Sequence, residues 1–183
     1  QLYMLTGFIN RKTVLAAAAG ILISCGSSNS HKTMEKVEIK TNQECMEDKT
    51  LRVKELSFST SKPTADEIEA AFNAKNVEYN AIDCANWASY NGEYQPSVRF
   101  RIGYTEEEIY IQYLVTENDI KAVYGDDAGS KPYTDSCVEF FAIPGEGGEY
   151  YNLELNCIGK GTFAGGAQRT DRTRYGDDVL SQI

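Results

Sequence analysis

The stretch that decides the fold is residues 133–159, YTDSCVEFFAIPGEGGEYYNLELNCIG. Val138, Phe140 and Ala142 interleave with Cys137, Glu139 and Phe141, and further on Tyr151, Leu153 and Leu155 interleave with Asn152, Glu154 and Asn156. Alternation with a period of two predicts two half-buried strands. Pro144 and the run Gly145-Glu146-Gly147-Gly148 supply the turn between them. With residues 145–148 as the loop, Val138 faces Leu155, Phe140 faces Leu153 and Ala142 faces Tyr151, so one side of the hairpin is apolar throughout. The other side sets Glu139 directly across from Glu154, flanked by Cys137 with Asn156 and Phe141 with Asn152. Cβ atoms in such cross-strand pairs lie about 4.5–5.5 Å apart. Carboxylates at that spacing repel each other. A sheet tolerates them when an arginine, a cation or a ligand's hydroxyl groups sit between them.

Upstream, residues 97–103 alternate in the same way, with Val98, Phe100 and Ile102 on one side and Arg99 and Arg101 on the other. Residues 109–117 follow as a partner strand, with Ile109, Ile111, Tyr113 and Val115 directed inward. Residues 51–57 suit a first strand. Residues 64–74 suit a short helix with Thr64 as N-cap, acids in the first turn, and Ile68 and Phe72 on one face. Asn86 and Trp87 fall in a loop, residues 118–132 form a long polar connection, and the Gly-rich residues 160–176 read as loop. Residues 177–183 begin another element. The fold class is therefore all-β, an antiparallel β-sandwich of jelly-roll or immunoglobulin-like type with one short helix near its start. Further strands are needed to close it, so the expectation is a domain incomplete at its C-terminal side.

The 183 residues carry a net charge of −9. An acidic surface disfavours phosphate backbones, which argues against nucleic acid as a partner. Twelve tyrosines and seven phenylalanines favour strands, and such rings also serve sugar-binding surfaces by stacking. From residue 51 onward there is no histidine and no methionine, His31 lying in the preceding linker. Haem with His or Met ligands, a His-based zinc site and a histidine-activated nucleophile all lack their residue within the domain.

Residues 1–24 hold Arg11 and Lys12 and then an uncharged run, as a signal peptide does. Leu22-Ile23-Ser24-Cys25 resembles the lipobox of bacterial lipoproteins, in which Cys25 becomes the lipidated first residue. Residues 25–50 are polar, without apolar periodicity, and read as a flexible tether. The domain then occupies 51–183. The tether starts with GSSNS, without an acidic cluster, which favours the periplasmic face of the outer membrane over the cell surface. Export permits disulfides. Cys137 and Cys157 fall on opposite hairpin faces, Cys45 and Cys84 are left open as a pair, and free buried thiols are the default for Cys45, Cys84, Cys137 and Cys157. No CxxC spacing points to zinc.

The succession NW (86–87), YQPSVRFRIGY (94–104), IYIQYLVTEND (109–119), DSCVEFF (135–141) and YYNLELNCIG (150–159) resembles the carbohydrate-binding module family 9-like domains of exported bacterial proteins. These fall within the wider DOMON-type β-sandwich group. The resemblance implies a saccharide-binding sandwich in which aromatic rings and charged side chains form the slot. It implies no cofactor beyond a structural calcium in some members, bound elsewhere. Trp87 matches the stacking tryptophan, while Glu139 and an arginine of residues 98–102 match the polar clamp. The expected ligand-binding set is Trp87, Arg99, Arg101, Glu139, Asn152 and Glu154, with no catalytic residue. Two other readings compete. Glu139 and Glu154 have the spacing of the acid and nucleophile of a retaining glycoside hydrolase, about 5–5.5 Å, and the polar face also suits a protein-interaction domain at the cell envelope.

Overall fold

Residues 133–159 fold as the hairpin that their alternation dictates. Cys137–Ala142 pairs antiparallel with Tyr150–Asn156, and Val138 lies opposite Leu155, Glu139 opposite Glu154, Phe140 opposite Leu153 and Ala142 opposite Tyr151. The computed structural model describes residues 2–10, 23–24, 50–84, 94–124, 131–143 and 148–180. In chain order the elements are β1 (Leu2–Asn10), β2 (Ile23–Ser24), β3 (Lys54–Glu55), α1 (Ala65–Ala74), β4 (Asn80–Ile82), β5 (Ser97–Tyr104) and β6 (Glu108–Thr116). A 3₁₀ turn (Pro132–Thr134) leads into β7 (Cys137–Ala142), β8 (Tyr150–Asn156), β9 (Gly161–Gln168), β10 (Asp171–Arg174) and the four-residue α2 (Asp177–Leu180).

Among the described residues the strands form two five-stranded sheets. The first runs β1-β6-β5-β3, with β4 also paired to β5; the second runs β10-β9-β8-β7-β2. Pairing is antiparallel except between the short β3 and β5. One apolar cluster joins the sheets: Val98, Ile111, Tyr113 and Val115 from β5 and β6 pack with Val138, Phe140, Ala142, Leu153 and Phe163 from β7, β8 and β9. Each large aliphatic or aromatic side chain buried this way contributes about 1.5–3 kcal/mol. The two sheets therefore pack face to face as an all-β sandwich.

The helix forms where its capping signals lie. Thr64 is the N-cap, its hydroxyl accepting from the Glu67 N–H while the Glu67 carboxylate accepts from the Thr64 N–H. Its buried face, Ile68 and Phe72, packs with Leu56 and Tyr110 on the outer side of the first sheet. Gly103 makes that approach possible, because a side chain there would collide with Leu56 and Phe72. The strand expected over 51–57 contracts to Lys54–Glu55, with Leu56 tied by its N–H to the Tyr104 carbonyl.

Residues 160–176 correct the sequence reading. They form the hairpin β9–β10 rather than a loop. The glycines that argued against a strand are sites of close packing: a Cβ on Gly165 would strike the rings of Tyr151 and Tyr175, which stack with centroids 6.4 Å apart. The connection before β7 is pinned by Asp135, which is fully buried. Its Oδ2 accepts from the backbone N–H groups of Val123 and Tyr124 and from Asn156 Nδ2. This ties the polar connection to the end of β8.

Residues 1–24, expected as a signal peptide, contribute β1, which pairs with β6 along its length, and β2, which pairs with β7. The other residues of that segment, Cys25, the tether up to residue 49, Cys45, Asn86, Trp87 and most of the 145–148 turn lie outside the described residues. Cys84 is disulfide-bonded, correcting the default of a free thiol, whereas Cys137 and Cys157 are free. Burial, followed by the fields of Glu139, Glu154 and Asp135, pushes the Cys137 thiol well above its ordinary range, which leaves it unreactive.

Candidate functional site

Because β7 and β8 turn Val138, Phe140, Leu153 and Leu155 to the interior, the intervening residues project from the outer face of the second sheet. On β7 and β8 this face carries Glu139, Phe141, Tyr150, Asn152 and Glu154. Thr162 and Ala164 continue it across β9, opposite Glu154 and Asn152. The Phe141 and Tyr150 rings stack with centroids 6.5 Å apart. Although outward-facing, the polar groups are largely withdrawn from water: Glu139 is 8% exposed and Asn152 1%.

Such burial shapes the electrostatics. Desolvation first, and then the neighbouring Glu154, raise the Glu139 pKa from 4.5 to about 7, against the lowering influence of Arg169 and Arg172. Glu154 is raised too, again by burial, opposed by the Arg172 guanidinium, by Asn152 and Thr162 alongside, and by Arg174. Every arginine in this account comes from the β9–β10 hairpin. Arg172 Nη1 donates to Asn152 Oδ1 at 3.1 Å, and its guanidinium lies 5.8 Å from the centroid of the Tyr150 ring.

A register shift between Asp171 and Thr173 turns Arg172 across the sheet. Gly166, opposite Tyr150, leaves room for that crossing, since a Cβ there would overlap the Asp171 carbonyl and the Arg172 backbone. The hairpin read as loop thus delivers the cations that the paired acids require. A sequence signal for it existed: Arg169, Arg172 and Arg174 fall within six residues of a chain whose net charge is negative.

The expected partners on β5 are not part of this site. Arg99 and Arg101 do project away from the core, but from the first sheet, so they emerge on the opposite outer side of the sandwich. Arg101 is 3% exposed beneath α1. Its Nε donates to Gln112 Oε1 at 2.6 Å and its Nη1 to Asn73 Oδ1 at 2.7 Å, while the rings of Phe72 and Tyr79 lie 4.7 and 4.6 Å from the guanidinium. Arg101 is a structural pin. Arg99 is exposed and lies over Tyr79 at 5.5 Å. The expectation that both share a face with Glu139 is corrected, because "away from the core" names two opposite surfaces in a two-sheet fold. Glu139, Asn152 and Glu154 are brought together; Trp87 lies outside the described residues.

Among the described residues no group of three or more His, Cys, Asp or Glu side chains is arranged to hold a metal ion. A 380 Å³ depression lined by Glu55, Phe58, Glu106, Glu108 and Tyr110, among others, opens on the other sheet.

One outer face of the sandwich thus offers paired acids, an amide, guanidinium groups and stacked rings, chemistry that complements polyhydroxylated molecules. The model of carbohydrate-binding family 9 matches residues 66–183, and the chain belongs to that family. It is also similar to a solved structure from Bacteroides uniformis, of a protein named there as a candidate carbohydrate-binding protein. Identity is 34% and the TM-score 0.65, with 72% of this chain and 58% of that chain covered. The present chain therefore spans little more than half the length of that structure. No curated protein matches it.

The raised Glu139 pKa sets a pH dependence of stability. The native state retains a proton that the unfolded chain releases between 4.5 and about 7, so stability falls as pH rises through that window. Thermal melting measured across it should show this decline, and Glu139→Gln should flatten it. An unchanged slope in the variant would place the titration elsewhere.

Proposed function

We propose that this domain is a noncatalytic binder of a saccharide, which it holds on the outer face of β7, β8 and β9. In this reading Glu139 and Glu154 accept hydrogen bonds from vicinal hydroxyls, Asn152 and the β10 arginines donate, and the Phe141–Tyr150 pair offers apolar surface to the C–H face of a ring. Trp87 is the further stacking partner. The observation that carries the reading is the juxtaposition of Glu139 and Glu154, directly opposite each other on adjacent strands and both raised in pKa by burial. A ligand whose hydroxyls bridge them relieves their repulsion. Family membership and the Bacteroides uniformis relative support saccharide as the ligand class.

A second reading has one observation in its favour. A carboxyl held near neutrality beside a second acid is also what the general acid of a glycoside hydrolase requires. Calorimetry and reducing-end release on the same oligosaccharide panel separate the two. The binding reading expects saturable heat without product, and Glu139→Gln to weaken the complex by about 2 kcal/mol, roughly thirty-fold in Kd. It expects Trp87→Ala to cost about 1 kcal/mol. Turnover that disappears in Glu139→Gln would establish the hydrolase instead, and affinity unaltered in both variants would remove the site.

We further propose that the domain is exported and tethered through a lipidated Cys25 to the outer membrane, facing the periplasm. The basic start at Arg11 and Lys12, the uncharged run after it and the sequence Leu22-Ile23-Ser24-Cys25 support this. Processing there would remove β1 and β2 with the leader and open the edge of β6 to another strand. Mass spectrometry of the protein from membranes of an expressing bacterium should find an acylated Cys25 as the first residue. A mature N-terminus upstream of Cys25, without acyl mass, would contradict it.

A further inference from the structure

The polar face is not balanced between donors and acceptors. Asn152 is 1% exposed, and its Oδ1 is taken by Arg172 Nη1. Its Nδ2 lies alongside the Glu154 carboxylate without closing a hydrogen bond of normal geometry, so a buried donor beside the acid pair is left short of a full partner. Buried donors are ordinarily satisfied, which marks this one as a place for a ligand oxygen.

Charge is unbalanced in the same direction. Arg169, Arg172 and Arg174 all act on the Glu139–Glu154 pair, so three guanidinium groups are gathered against two carboxylates, one of them held near neutrality. Neither Arg169 nor Arg172 lies within ion-pair distance of Glu139 or Glu154. Their hydrogen-bonding forks are not consumed by the acids they compensate. In a chain of net charge −9 this hairpin is a local excess of positive charge. A neutral sugar uses the acid side of such a site and leaves the guanidinium side to water.

Building on the carbohydrate-binding reading, we propose that the site selects an acidic saccharide of the uronate class. The sugar carboxylate faces Asn152 Nδ2 and the guanidinium groups of Arg169 and Arg172, and its hydroxyls face Glu139 and Glu154. Carboxylate and vicinal hydroxyls on one ring reproduce the two-sided arrangement. Arginine supplies the planar fork that pairs with a carboxylate.

The test is calorimetry of the full chain with a panel of oligouronides and with their methyl esters, which keep linkage and shape but lose the charge. One charge-assisted hydrogen bond predicts the free acid to bind about tenfold tighter than its ester, with the difference shrinking as salt is added. Arg169→Gln, on an exposed turn residue, should bring the acid-to-ester ratio toward one, as should Arg172→Gln where melting shows it folded. Equal affinity for acid and ester overturns the proposal, as does binding of neutral oligosaccharides alone, and both leave the carbohydrate-binding reading standing. Absence of binding to every saccharide tried defeats both together.

Discussion

Two carboxyl groups face each other across neighbouring strands, largely out of reach of water, and the second sheet is arranged around that constraint. Glu139 and Glu154 cannot escape by slipping register, because a one-residue shift of either strand would carry its own apolar residues, Val138 and Phe140 or Leu153 and Leu155, out of the core and its acid into it. The apolar side of the hairpin therefore fixes the repulsion on its polar side. Relief has to come from a proton, a guanidinium group or a bound molecule. Burial supplies the first by raising the Glu139 pKa, and β10 supplies the second.

The contrast between the two sheets shows how one chemical group serves different ends. On the first sheet Arg101 lies between Phe72 and Tyr79 with its donors taken by Gln112 and Asn73, so its charge is spent on holding the helix. On the second sheet Arg172 is turned across the strands by an irregular register and by the space that Gly166 leaves, and it meets the amide of Asn152. The first arrangement is committed to packing the helix. The second keeps hydrogen-bonding capacity beside a buried amide donor that closes no hydrogen bond of normal geometry with Glu154 alongside.

Much of this was legible in the chain. The register of β7 with β8, the inward faces of β5 and β6, and the Thr64 cap of the helix follow from period-two and period-3.6 patterning together with capping chemistry. Such signals are strictly local. What escaped is not local. In β9 Gly165, which lowers strand propensity, is demanded by the side chains of Tyr151 and Tyr175, and Gly166 by the returning Asp171–Arg172 backbone, packing that alternation along the strand does not encode. With β9–β10 read as loop, the nearest available arginines were those of β5, and alternation along one strand does not say which outer side of a sandwich a residue reaches.

If saccharide binds on the Glu139–Glu154 face, the two carboxyl groups must sense it. Carboxyl-detected NMR, with both side chains assigned, observes it directly. Addition of a saccharide that binds should shift the Glu139 and Glu154 carboxyl resonances together and saturably, and should move the Glu139 titration away from its value near 7 as the ligand changes the charges and hydrogen bonds around the carboxyl. A saturable response elsewhere in the domain, with both carboxyl signals and the Glu139 titration unmoved, would contradict it.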